Sequence, residues 1–410
     1  MSFRTPLAAA VVATLLVAAP VHAAPPGPKT QVWIDVATHE MAGMPDLGGL
    51  GRFASAMSGG KTVLDYPDAR TQMSTGQYFD IALYNGLAPG REAQQLVPSG
   101  LGLGKSLPLL PPQRQVNPES DETPGVPEGD IRILYYWGCG ADVRKGQPKV
   151  FTASVRGGKV QTSGTPMSGR FAPNRDVRPD PSYALWPNPK ARKRAGNGAS
   201  LQGEHRITGD GVPESLKFTL TEQADFMPRI GLTQEGSPAS GPVLRWPQVA
   251  RARAYFLHAV AMQGKDVVIW SSADVPEAGS GLVDFLQAGN IDRWLKEKVL
   301  LPTSTTSCQI PKGILKDGGE SGAGLLSMIA YGPETHITWP PKPADPKQPW
   351  APEWNVRVRT KSTAGAILGM DMSGMGMGAA DDADSGEEGE PAQEEEGGAK
   401  KLMRGLFRRF

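Results

Sequence analysis

Residues 242–272 read PVLRWPQVARARAYFLHAVAMQGKDVVIWSS, three extended runs separated by turn residues, and they constrain the fold more than any other stretch. Trp246, Val249, Ala252 and Tyr255 fall at steps of three, which alone would suggest a helix. Pro247 interrupts that period. The flanking runs 243–246 and 254–262 are apolar, aromatic and β-branched, without the one-sided polarity of a surface helix. A turn over 248–252 then lets Trp246 and Tyr255 face one interior from neighbouring strands, and Gln263-Gly264-Lys265-Asp266 supplies a tight turn before VVIWSS. The second half of the chain is therefore expected to be a layered β structure.

The W-x-x-V-x-x-A-x-x-Y spacing of Trp246, Val249, Ala252 and Tyr255 resembles the strand B to strand C passage of fibronectin type III-like domains. In that family the Trp and Tyr are core residues, so the resemblance implies an aligned β-sandwich and carries no activity with it. It spans about thirty residues of the chain.

The first half has similar material. QVWIDVAT (31–38) and YFDIALY (78–84) alternate as strands do, 131–137 and 150–155 are further strands, and 204–208 with 216–220 form a hairpin around Asp210-Gly211. Residues 164–197 read as loop, with a basic run of Lys190, Arg192, Lys193 and Arg194 on a solvated surface. Strands at 325–330 and 355–360 close the second half; in the latter, Val356 and Val358 face the core while Arg357 and Arg359 face solvent. Between these two strands, TWPPKPADPKQPW reads as an irregular connector. Leu282, Phe285 and Leu286 suggest a short helix, and Asn290 is placed to cap a second in which Ile291, Trp294, Leu295 and Val299 form one apolar stripe. Fifty glycines and 38 prolines fit a turn-rich β architecture. The expected fold class is mainly β: two β-sandwich-like domains, 24–223 and 224–365, the second fibronectin type III-like with a helical insertion at 281–300. A disordered tail is expected from 366 to 399, and a basic amphipathic end from 400 to 410.

Arg4, the apolar run 7–19 and Val21-His22-Ala23 have the layout of a cleavable export signal over 1–23, so the chain is expected to be periplasmic or secreted. In an oxidising compartment the two cysteines, Cys139 and Cys308, favour a disulfide over free thiols or a metal pair. The formal net charge is only +1, which gives no reason to expect nucleic acid as a partner.

No catalytic signature emerges. SAMSGGKT and SGLGLGKS imitate a phosphate-binding loop but put Ser55 and Ser99 where the first glycine belongs. GESGA (319–323) lacks the second glycine of a hydrolase elbow. His258 shares a strand face with Phe256, Val260 and Met262, the setting of a packed residue. The methionines support a sharper expectation. Met370, Met372, Met375 and Met377 form one cluster, and His39, Met41 and Met44 a smaller one; thioether sulfur is a soft ligand for Cu(I) or Ag(I). Both stretches resemble the Met-rich segments of bacterial periplasmic copper-handling proteins, which implies copper as the metal. The alternative is a flexible linker. In the tail, 381–396 carries nine acidic residues. The end, KKLMRGLFRRF, sets Leu402, Met403, Leu406, Phe407 and Phe410 against five basic residues, suited to an anionic membrane surface or an envelope protein. The functional expectation is a non-enzymatic binding or structural protein of the cell envelope, with a soft-metal binding protein and an exported hydrolase as alternatives.

Overall fold

The computed structural model describes residues 28–42, 64, 66–70, 75–112, 129–157, 159–171, 177, 180–191, 193–317, 324–345 and 347–368. The export segment, Met44, the Met370 to Met377 cluster and the basic end with Leu402, Met403, Leu406, Phe407 and Phe410 lie outside them. The described chain is mainly β. Its strands are β1 (Thr30–Met41), β2 (Gly76–Asn85), β3 (Ala93–Leu96), β4 (Ser106–Leu109), β5 (Gly129–Trp137), β6 (Lys149–Arg156), β7 (Lys159–Ser163), β8 (Tyr183–Trp186) and β9 (Gly203–Gly209). There follow β10 (Lys217–Leu220), β11 (Thr233–Glu235), β12 (Val243–Arg245), β13 (Ala254–Gln263), β14 (Asp266–Ser271), β15 (Ser307–Gln309), β16 (Gly324–Trp339) and β17 (Trp354–Leu368). One α-helix, α1 (Ala288–Lys296), stands among them.

Ten strands form one sheet in the order β7-β6-β5-β14-β13-β16-β17-β1-β2-β8. Two small sheets, β10-β9-β3-β4 and β11-β12-β15, pack on the same face of it, here the inner face. Because strand residues alternate between faces, Val32, Ile34, Val36, Ile81, Leu83, Val356 and Val358 meet Leu107, Leu109, Ile207 and Phe218 of the four-stranded sheet. At the other end Tyr255, Leu257, Leu326, Met328, Ala364 and Ala366 meet Leu244, Trp246 and Cys308. Strands β16 and β17, 16 and 15 residues long, run through both sandwiches.

The strands of 242–272 form as expected, β12 in the three-stranded sheet and β13–β14 in the large one. Trp246 and Tyr255 are 3% and 0% exposed, and their rings meet edge to face with centroids 5.7 Å apart. The Tyr255 hydroxyl accepts the Val249 amide hydrogen at 2.9 Å, which fixes the turn between them. Cys139 and Cys308 form a disulfide with Cα atoms 5.1 Å apart, tying the end of β5 to β15. Gly138, in the left-handed region with φ 96°, allows that close passage: a Cβ there would strike the Arg144 guanidinium.

A boundary near residue 223 does not separate the strands. β1 and β2 lie beside β17, and β5 to β7 lie beside β14. Both joins are parallel pairings between strands far apart in sequence, for which local composition carries no signal. The segment after residue 223 fills the seam between the two small sheets. Met227 O accepts the Thr38 hydroxyl at 2.7 Å, and Glu40 accepts the Gly231 amide at 2.9 Å. Arg251 donates to the carbonyls of Asp225 and Phe226.

Several local expectations need correction. The strands placed at 325–330 and 355–360 are each more than twice as long. Gly332-Pro333 sits in a bulge where the β16–β17 register shifts between Tyr331 and Glu334, and the strand continues past it. Helix α1 starts at Ala288 with Gln287 at its N-cap, so Asn290 lies inside the first turn; Ile291, Trp294 and Val299 are buried as the stripe requires. Residues 280–282 make a single 3₁₀ turn in place of a helix. Arg357 and Arg359 do point away from the inner core, but they are only 7% and 3% exposed.

Candidate functional site

The outer face of β8-β2-β1-β17-β16 can be read in rows across the strands. The first row is Tyr183, Tyr84, Gln31, Asn355 and Thr338. Next come Leu185, Ala82, Trp33, Arg357 and His336, then Asp80, Asp35, Arg359 and Glu334. Beyond them lie Tyr78, Ala37, Lys361 and Tyr331, and finally His39 beside Thr363. The face is thus aromatic at one end and ionic in the middle.

The ionic rows are buried beneath residues 66–70 and 284–285. Arg359 donates to both carboxylate oxygens of Asp35, at 2.8 and 2.5 Å, with Arg70 3.5 Å away. Burial would raise the Asp35 carboxyl, but Arg359, with Arg357 and Arg70 behind it, brings it down to about 2. Asp80, directly opposite Asp35, accepts the amides of Asp68 and Ala69 at 2.7 and 2.9 Å. Burial, helped by the Asp35 and Asp68 charges, still pushes its carboxyl well up. Lys361 is 1% exposed and donates to Asp284 at 2.9 Å and to Arg70 O at 3.4 Å. Burial depresses its ammonium, and Asp284 opposes that shift. Phe285 covers both cations, its ring centre 4.7 Å from the Arg359 guanidinium and 4.3 Å from the Lys361 ammonium. Arg194 holds the other side of the cover through Asp68 at 3.0 Å.

Two carboxyls driven in opposite directions are the pattern of an acid–base pair. Here both oxygens of Asp80 are engaged by backbone amides and both of Asp35 by one guanidinium, and each residue is at most 3% exposed. The arrangement clamps the 66–70 segment to the sheet and offers no open carboxylate to a substrate.

His39 belongs to the same layer. Its Nδ1 lies 2.5 Å from the Thr363 hydroxyl and its Nε2 3.1 Å from Ala69 O. Burial, with the Lys361 charge next, lowers the imidazole to about 3. Both ring nitrogens are therefore engaged, which removes His39 from a soft-metal set unless those bonds break. Met41 Sδ packs where a Cβ on Gly365 would fall, 2.7 Å away. Among the described residues no group of three or more His, Cys, Asp or Glu side chains is placed to hold a metal ion. His258 Nε2 donates to Ala278 O, 3.0 Å away, and burial lowers the imidazole to about 4. His205 lies between Gln95 and Leu201 O and stacks on Phe218.

The aromatic end of the face is open. Trp33, Tyr84 and Tyr183 are half-buried. Tyr183 sits 5.9 Å from Trp33 and 5.5 Å from Tyr84 between ring centres, tilted by 54° and 51°. Gln31, Asn355 and Thr338 continue the row, and the His336 side chain is 58% exposed beside Glu334. Sequence reading placed Trp33 on the face of β1 opposite Val32 and Ile34 but attached no role to it. The missed signal was that YFDIALY ends in Tyr84 while YALW begins with Tyr183, the two ends that an antiparallel pairing brings together.

A second open surface lies on the inner face, where the small sheets leave β5, β6 and β7 uncovered. It is a cleft of about 690 Å³ lined by Thr152, Ser154, Gln161, Ser163, Arg132 and Asp266. Two of its charges are paired with each other, Arg132 with Asp266, and Asp130 pairs with Arg156 at 2.8 Å.

Comparison with protein-family models, with curated proteins and with solved structures gives no match for this chain.

Proposed function

We propose that the chain is an exported, non-enzymatic binding protein of the cell envelope, with the Trp33–Tyr84–Tyr183 end of the outer sheet face as its ligand surface. The observation that carries this reading is the contrast within one face: Asp35, Asp80, Arg359 and Lys361 are buried beneath the 66–70 and 284–285 cover, whereas three aromatic rings beside amide and hydroxyl side chains keep surface in solvent. Aromatic side chains with polar groups in reach are what a binding site uses for area and orientation together. A long sheet packed on two smaller ones gives such a surface a rigid backing. The export layout of residues 1–23 and the Cys139–Cys308 disulfide both fit an oxidising compartment.

Two measurements test it. Expressed at full length in bacteria, the protein should be recovered outside the cytoplasm with its N-terminus at Ala24; cytoplasmic recovery with residues 1–23 intact would remove the export part. Purified protein should co-sediment with isolated bacterial cell-envelope fragments, and Trp33→Ala should lower the retained fraction at least fivefold. Equal retention of both proteins would remove the ligand surface from this face.

A further inference from the structure

We infer that the ligand of this surface is a saccharide, its pyranose ring laid against Trp33 and Tyr183 and its hydroxyls bonded by Gln31, Asn355 and Thr338. This rests on the binding reading above and narrows it to a chemical class.

The first argument is chemical. A pyranose has faces of C–H bonds and an edge of hydroxyls, so its site needs an aromatic surface next to neutral donors and acceptors. The rings of Tyr84, Tyr183 and Trp33 supply the surface, with centres 5.5 and 5.9 Å apart along the chain of three. Gln31 and Asn355 lie in register with Tyr84 on the adjoining strands, and Thr338 is next to Asn355. Stacking and hydrogen-bonding groups are thus neighbours on one pleated row, side chains of directly paired residues being about 5 Å apart.

Size is the second argument. A fully exposed aromatic side chain contributes roughly 150–250 Å², so three rings that each keep at most about a third of their surface in solvent present no more than about 200 Å². A stable contact between two proteins needs about 800 Å² from each partner. The patch fits one or two sugar rings and is too small to hold a second copy of the chain.

A third argument is rigidity. Trp33 is followed two residues later on the same face by Asp35, whose carboxylate is locked by Arg359. Two residues before Tyr84 on its face is Ala82, which is 0% exposed. The platform is therefore set before any ligand arrives, and little ordering cost falls on binding.

The test is titration calorimetry of the mature chain with two probes, a soluble neutral β-glucan and a soluble polyuronate. Wild-type protein should bind at least one, Trp33→Ala and Tyr183→Ala should weaken that binding tenfold or more, and Trp33→Phe should keep it within threefold. Unchanged thermal melting of the variants shows that the fold persists, and Ser154→Ala in the opposite cleft serves as a control that leaves affinity unaltered. Binding of the glucan assigns recognition to ring stacking alone, and binding of only the polyuronate adds the His336 side to the site. The inference is overturned if wild type binds neither probe, or if Trp33→Ala binds as wild type does. Should Trp33→Ala still lose envelope retention while wild type ignores both polysaccharides, the saccharide class falls and the ligand surface stands. Loss of neither removes both.

Discussion

The outer face of the large sheet is covered twice, by opposite means. Over β13 and β16, the side chains of Ala254, Phe256, Ile329 and Tyr331 lie beneath Leu282, Leu286, Ile291, Trp294 and Val299, an apolar layer supplied by 282–300. Over β1, β2 and β17, Asp35, Asp80, Arg359 and Lys361 lie beneath residues 66–70 and 284–285. Phe285 lies between the two, next to Leu286 in sequence yet stacked on the cations. An apolar cover draws on buried area, so its cost of damage scales with atoms removed. An ionic cover depends on pairing, so the loss of one partner exposes the full desolvation cost of the other.

The largest effect expected from this contrast is at Arg359. Arg359→Met should destabilise the fold by about 3–5 kcal/mol, because the Asp35 carboxylate would remain buried with its main partner gone. Replacing both members, Asp35→Leu with Arg359→Met, should recover most of that loss, since a well-packed apolar pair removes the uncompensated charge. Chemical denaturation of the two single variants and the double variant measures it. Additive losses would mean that the pair is not coupled and that the comparison of the two covers is mistaken.

The same strand shows how far sequence reading reached. In WNVRVRTKSTAGAIL the alternation of Val356 and Val358 with Arg357 and Arg359 correctly gave a strand and its inner face. Solvent was the natural assignment for the other face, because nothing local to β17 reveals that residues near 66–70 and 284–285 return to cover it. The acid that answers Arg359 is Asp35 on β1, 324 residues away, and the one that answers Lys361 is Asp284, 77 residues away in the cover. Turn chemistry and alternation likewise located 242–272, where the β13–β14 hairpin and the Trp246–Tyr255 contact are local. The shared sheet was not legible, because the β1–β17 and β5–β14 pairings join distant segments. Trp33 and Tyr84 were visible as strand aromatics, but Tyr183 was not, because it lies in β8, a strand of four residues inside a stretch that read as loop.

On the apolar side, Trp294→Ala should cost about 3–4 kcal/mol through the cavity left between α1 and the sheet. Unlike the Arg359 change, it has no compensating single partner, so a second substitution at Ile329 should deepen the loss. Recovery on adding Ile329→Phe would indicate a cover with slack, closer in behaviour to a loop than to a packed layer. Removing the disulfide by Cys139→Ser with Cys308→Ser should cost about 3 kcal/mol, with the outer-face covers intact. Thermal melting under oxidising and reducing conditions checks it, and no difference between those conditions in wild type would show that the bridge adds nothing.

The smallest effect separates the two covers by pH. His39 holds the ionic cover through Ala69 O and is neutral in the folded protein, with its imidazole lowered to about 3 from an ordinary 6.5. The unfolded chain therefore takes up a proton at His39 below about pH 6.5 while the folded chain does not. Stability from this residue is complete above that pH and declines as pH falls towards 3, by about 2 kcal/mol between pH 7 and pH 5. Asp80 works in the opposite sense: its raised carboxyl lets the folded state keep a proton that the unfolded state has released, so its contribution grows as pH falls. The informative quantity is then the difference between wild type and His39→Gln, measured by urea denaturation at pH 7 and pH 5. The variant should lose less stability on acidification than wild type, by about 2 kcal/mol. Equal losses in both proteins would mean that His39 is protonated in the folded state, and that the ionic cover tolerates a further positive charge beside Lys361.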